Sequence, residues 1–118
     1  MLKLATVFSG IGAIEFALKR LSIEHEIVFA CDNGERDVEY DINYELSIIK
    51  SLKTIDEKCD YIDDLYKRKT GRTNFVQKSY LKNYPQLNKK RYFQDIQLLD
   101  GNDFRGKVDL FVGGSPCQ

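Results

Sequence analysis

Two apolar runs at opposite ends of this 118-residue chain, Leu2 to Phe8 and Val108 to Val112, each lead directly into a glycine turn. Runs of this length read as buried strands, and glycine lets the backbone turn sharply out of them. The first continues as Phe8-Ser9-Gly10-Ile11-Gly12-Ala13 into a segment whose apolar residues Ile14, Ala17, Leu18 and Leu21 share one helical face. The second continues as Gly113-Gly114-Ser115-Pro116-Cys117-Gln118, where Pro116 fixes φ and biases Ser115 toward an extended shape. Strand, glycine turn and helix in that order predict a three-layer α/β fold with a mostly parallel sheet, these two strands adjacent and central. Such sheets bind ligands outside the carboxyl ends of their strands, and Cys117 falls there. A lone cysteine is more often a small buried hydrophobe, so its meaning depends on what surrounds it.

The first glycine turn suits a ligand that touches backbone, because a helix N-terminus offers N–H groups and partial positive charge. The third glycine of the dinucleotide fingerprint is absent, and Glu15 in its place is expected to repel a pyrophosphate. A second apolar strand, Glu26 to Cys31, ends in Asp32, placed like the acid that holds a ribose diol in Rossmann-type sites. Together these favour an adenosyl group without phosphates. Asp32 and Asp95 also have a plainer reading as turn or capping residues.

Phe-Ser-Gly-Ile-Gly near the start, an acid after the second strand, Gln94-Asp95-Ile96, and Gly-Gly-Ser-Pro-Cys-Gln after a hydrophobic strand together resemble the DNA cytosine-5 methyltransferases. The resemblance covers the two ends and the segment from about Asn74 to Ile96. It implies a Rossmann-like S-adenosylmethionine-dependent methyltransferase domain, with S-adenosyl-L-methionine as cofactor and S-adenosyl-L-homocysteine as product. Carried over by position, Phe8 would pack on the adenine, and the backbone of Ser9, Gly10, Ile11, Gly12 and Ala13 would meet the methionine moiety. Asp32 would bind the ribose hydroxyls, with Asn33 beside the adenine. Asp95 would accept from the adenine amino group near the Ile96 amide, Pro116 would line the wall beside the methyl group, and Cys117 would be the nucleophile. Ala13, Asp32, Asn33 and Gln94 depart from the residues more usual in the family at those places.

The implied chemistry accounts for the cysteine. Cytosine C5 is too electron-poor to attack an activated methyl group until a nucleophile adds at C6, and a thiolate both adds and leaves well. The base must leave the duplex to be attacked, so double-stranded DNA is the implied partner. The family's later acid in a Glu-Asn-Val segment, its arginine segment and its target-recognition domain have no counterpart in these residues. The chain is therefore expected to be a truncated, partial catalytic domain over residues 1–118, with a helical insertion over about 35–73, and inactive in isolation. The remainder is expected either in a longer reading frame or as a separate chain. Alternatives are a tRNA cytosine-5 methyltransferase of the same fold, a cofactor-binding subunit of a split methyltransferase, and, furthest off, a dinucleotide-dependent oxidoreductase.

Three cysteines without metal-ligand spacing predict thiols in a reducing compartment and no metal site. With no apolar span and no signal peptide, the expectation is a bacterial cytoplasmic enzyme without membrane contact, of the restriction-modification type. His25, the sole histidine, is expected in an exposed turn. The zero net charge hides a division: acids dominate from Glu35 to Asp64, whereas Leu65 to Gln94 carries nine bases and no acid. Apolar spacing predicts helices through Val38, Ile42, Leu46 and Ile49, through Ile55, Cys59, Ile62 and Leu65, and from about Asn74 to Asn83. The basic stretch, interleaved with Tyr66, Phe75, Tyr80, Tyr84 and Tyr92, reads either as a nucleic-acid surface or as a solvated face paired with the acidic helices.

Overall fold

A computed structural model of the chain describes residues 1–8, 10 and 12–113. Strands β1 (Leu2–Val7), β2 (His25–Cys31), β3 (Tyr92–Phe93) and β4 (Leu110–Gly113) form one parallel sheet in the order β3-β2-β1-β4. The two strands that run into glycine are adjacent and parallel, as expected. Of these two only β1 is internal, however; β4 is an edge strand of the described sheet and begins at Leu110 rather than Val108. The Asp109 carboxylate and amide instead pair with Lys3, which pins the chain just before β4 to the start of β1.

Strand alternation sends side chains to two covered faces, the arrangement parallel sheets require. One face carries Ala5, Val7, Phe29, Cys31 and Phe93, which pack with Ile49, Cys59, Ile62, Leu65, Leu98 and Phe104. Helices α2 (Ile42–Ser51) and α3 (Ile55–Thr70) cover this side. The other face carries Ile27, Ala30 and Tyr92 against Tyr80, Tyr84 and Leu87, with α4 (Phe75–Asn83) supplying Tyr80. Helix α1 (Ala13–Arg20) follows the first glycine turn and buries Glu15 and Leu18.

Helix starts follow local capping chemistry. Asp41, Thr54 and Asn74 accept from the amides of Tyr44, Glu57 and Gln77 at 3.2, 3.1 and 2.9 Å. The Asp41 cap explains why α2 begins at Ile42: Val38 keeps the helical apolar spacing but lies in an irregular segment packed on the core. Leu21 likewise leaves the predicted face of α1, at 70% exposure, because the helix has ended at Arg20. His25 is the first residue of β2, with its ring against the Ile23 carbonyl, rather than part of a preceding turn.

Candidate functional site

The carboxyl edge of the sheet gathers most of the residues singled out from sequence. β1 ends at Val7, and Phe8 follows at φ +53° with its side chain 45% exposed. A positive φ is uncommon for an aromatic residue and marks a backbone held in place by its surroundings. Gly10 has φ +55° with open space where a Cβ would stand, so a ligand can approach its backbone. A hollow of about 240 Å³ lies beside this turn, bordered by Thr6, Phe8, Ala13, Ile14 and Val112 among others. β4 reaches the same place, since Gly113 pairs with Val7 and any Cβ on it would meet the Val7 side chain at 2.5 Å. Ser9, Ile11, Pro116 and Cys117 lie outside the described residues.

Gly12 has a different task from Gly10. Its φ of +88° sets it against the Tyr84 ring, which a Cβ would meet at 2.3 Å, and its carbonyl accepts from the Tyr84 hydroxyl at 2.7 Å. Its lack of a side chain serves packing rather than ligand approach. Glu15 does not face the turn either. It is 1% exposed and accepts from Thr6 Oγ1 at 2.8 Å and from the Tyr80 hydroxyl at 3.0 Å. Glu15 also borders the hollow beside the turn, with its Oε1 held by both hydroxyls.

Asp32 leaves β2 beside this turn. Its Oδ2 accepts from the Gly10 amide at 2.9 Å and its Oδ1 from the Gly34 amide at 2.8 Å. A carboxylate offers about four acceptor positions, so each oxygen retains one for a hydroxyl. Asn33, half-buried, accepts from the Glu35 amide and the Arg36 side chain through its own side-chain and backbone oxygens. One strand over, Asp95 follows β3, 8% exposed. Its Oδ2 accepts from the hydroxyls of Tyr40 at 2.7 Å and Tyr66 at 2.8 Å, and its Oδ1 from the Gln97 amide at 2.9 Å. Ile96 is half-buried against the larger core cluster. Sequence thus placed both acids on one edge, but gave no sign that Asp95 is bonded by two tyrosines from the intervening helical segment.

The two acids are tied together. The Asp32 amide donates to the Phe93 carbonyl at 3.1 Å, and Asn74 Nδ2 donates to the Asp32 carbonyl at 3.0 Å. Arg36, almost wholly buried, donates to the carbonyls of Asn33 and Arg72 and to the Gln94 side chain, and stacks 5.1 Å from the Tyr66 ring centroid. Burial pushes the Cys31 thiol upward, with the charges of Asp95 and Asp32 adding to it. The Cys59 thiol is pushed up to about 12, mainly by burial and then by Asp63 and Asp60. A thiol held protonated is a poor nucleophile.

A family model described as C-5 cytosine-specific DNA methylase matches residues 69–118, somewhat under half of the chain. Residues 69–118 are similar to the C-5 cytosine-specific DNA methylases. The methylase match contains α4, β3, Asp95, β4 and the Pro116-Cys117 pair, and begins at the end of the inserted helices. No curated protein and no solved structure gives a significant match.

The methylase match leaves the basic stretch to be judged on geometry. Tyr66, Tyr80, Tyr84 and Tyr92 are all buried, which withdraws four of the five aromatics from any nucleic-acid surface and leaves Phe75, at 71% exposure. Arg68, Lys90 and Arg91 pair with Asp64, Asp60 and Asp56, the acidic-helix pairing that the plainer reading anticipates. The bonds of Arg36 to Gln94, Tyr40 to Asp95 and Asn74 to Gln94 leave no sequence signal, because those partners lie 20 to 58 residues apart. Among the described residues no cluster of metal-ligating side chains occurs, and no helix is long and apolar enough to cross a membrane.

Proposed function

We propose that the chain serves S-adenosylmethionine-dependent methylation of cytosine C5 in double-stranded DNA. The single observation that carries this reading is the methylase match over residues 69–118, which includes the Pro116-Cys117 pair. Geometry supports it: the open Phe8 ring, the uncovered Gly10 backbone and the remaining acceptor positions on Asp32 lie together at one sheet edge and suit an adenosyl group. In this reading Phe8 offers a face for the purine, Gly10 and Gly12 shape the turn, and Asp32 holds the ribose. Asn33, Asp95 and Ile96 border the adenine, and Pro116 lines the wall beside the nucleophile.

When bound, the cofactor supplies an electrophilic methyl group. Cys117 forms a bond from its thiolate sulfur to C6, which moves electron density onto C5 and makes that carbon nucleophilic. C5 takes the methyl group as S-adenosylhomocysteine leaves, then loses its proton to a base while the sulfur–C6 bond breaks to restore the ring and the thiolate. The ordinary thiol pKa of about 8.5 leaves only a few per cent ionised at neutral pH, so an environment that favours the thiolate speeds the addition.

The test is calorimetry on the purified chain with S-adenosylhomocysteine and NAD as separate titrants. S-adenosylhomocysteine is expected to bind more tightly, and Asp32→Ala to weaken it about tenfold, the scale of a hydrogen bond to a charged group. Tighter binding of NAD, or binding indifferent to Asp32→Ala, overturns the reading.

A further inference from the structure

The segment between β2 and α2 belongs to the insertion, yet it brings Tyr40 onto Asp95. The two tyrosines on that carboxylate are not equivalent. Tyr66 is 3% exposed, sits on α3 and is stacked under Arg36, so its hydroxyl is fixed. Tyr40 is half-buried on irregular backbone, and its hydroxyl has two acceptors in reach: Asp95 Oδ2 at 2.7 Å and Gln97 Oε1 at 3.1 Å. A hydroxyl has one proton to give, so only one of these bonds is made at a time. Gln97 is exposed, which puts the alternative acceptor on the solvent side of the pair.

We infer that Tyr40 is a specificity-determining residue for the purine amino group, its hydroxyl donating to Asp95 in the empty site and turning its proton to Gln97 when an amino donor reaches Asp95. The inference rests on the cofactor reading above and adds a residue to it. Both Oδ2 positions are filled by tyrosine hydroxyls and the Gln97 backbone amide takes one of the two at Oδ1, so a donor aimed at Oδ2 competes with the one partner that can turn away. Because Gln97 receives the released proton, the exchange keeps Tyr40 bonded. An acceptor as poorly exposed as Asp95 is costly to leave short of donors, and the insertion supplies two of them, Tyr66 fixed and Tyr40 able to turn. A purine without the amino group leaves Tyr40 on Asp95 and makes no exchange.

Three variants of the whole chain, Tyr40→Phe, Gln97→Met and the double variant, are titrated with S-adenosylhomocysteine and with its 6-desamino analogue. Tyr40→Phe removes the competitor and is expected to bind S-adenosylhomocysteine about 3- to 10-fold more tightly while leaving the desamino analogue unchanged, a range set by one net hydrogen bond. Gln97→Met removes the alternative acceptor and is expected to weaken S-adenosylhomocysteine about threefold. In the double variant the Gln97 effect is expected to vanish, since it acts only through Tyr40. An unchanged preference between the two ligands in Tyr40→Phe, or a Gln97→Met effect that survives the loss of the hydroxyl, overturns the inference but not the cofactor reading. Failure of the parent chain to bind S-adenosylhomocysteine overturns both. Urea unfolding of each variant separates a ligand effect from a loss of fold, and a drop in stability with an unchanged preference counts against the inference.

Discussion

Two corners of the same sheet edge each hold a carboxylate, and they hold it by different means. At the Asp32 corner the donors are backbone amides of Gly10 and Gly34, the second only two residues from the acid. At the Asp95 corner the main donors are hydroxyls of Tyr40 and Tyr66, which lie 55 and 29 residues from it along the chain. The first corner is made by turn geometry. The second is made by side chains that an insertion must first fold and deliver. The same pattern recurs elsewhere: Tyr61 donates to Glu45 between α3 and α2, and Tyr80 donates to Glu15 between α4 and α1. Tyrosine-to-carboxylate bonds join helix to helix, and helix to sheet edge, across this molecule.

The largest test of that contrast is Arg36→Met. Arg36 braces the insertion through Asn33, Arg72, Gln94 and Tyr66, and its loss removes a shared donor from all three acceptors and the stacking on Tyr66. A cost of about 3 kcal/mol in urea unfolding is expected, the scale of breaking a buried polar network. A change within experimental error would show that the insertion is held by its apolar contacts alone.

Comparing the two acids directly sharpens the picture. Asp95→Ala leaves the buried Tyr66 hydroxyl without its acceptor and is expected to cost about 2 kcal/mol. Asp32→Ala frees two amides at a half-buried place that water can reach, for about 1 kcal/mol. Paired denaturation curves read the difference, and the reverse order would mean that the glycine turn, not the insertion, dominates the edge.

The smallest effect is in alkaline pH. Burial and then the bond to Glu45 push the Tyr61 hydroxyl from its ordinary 10.0 up to about 12, and burial likewise pushes Tyr40, Tyr66 and Tyr80 upward. A raised folded pKa on an acid means that the unfolded chain releases its proton first, so stability is full below about 10 and falls as pH rises toward 12. Urea midpoints measured from pH 9 to 12 are expected to fall, and to fall less in Tyr61→Phe. Equal slopes in the two proteins would remove the Tyr61–Glu45 bond from the account.

Much of the fold was legible because its signals are local. Apolar runs marked β1, β2 and β4 to within two residues; helical spacing marked α3 and α4; and Thr54 and Asn74 capped their helices from a few residues away. The candidate edge was legible for the same reason, since Phe8, Gly10, Asp32 and Asp95 each follow a strand end. Errors arose where a residue type has two uses. Gly12 was read as room for a ligand and is room for Tyr84; Glu15 was read as a charge facing the turn and is a core acceptor; the tyrosines of the basic stretch were read as surface and are buried.

Sequence by itself determined the parallel α/β plan, the methylase likeness of residues 69–118 and the edge where chemistry is expected, because strand length, glycine turns and short motifs are written in neighbouring residues. Only the tertiary structure decided which face of α1 is polar, which glycine stays open, and which side chains hold Asp95. Those outcomes depend on atoms that meet across tens of residues, and a hydrogen bond of 2.7 Å leaves no trace in the spacing of the residues that make it.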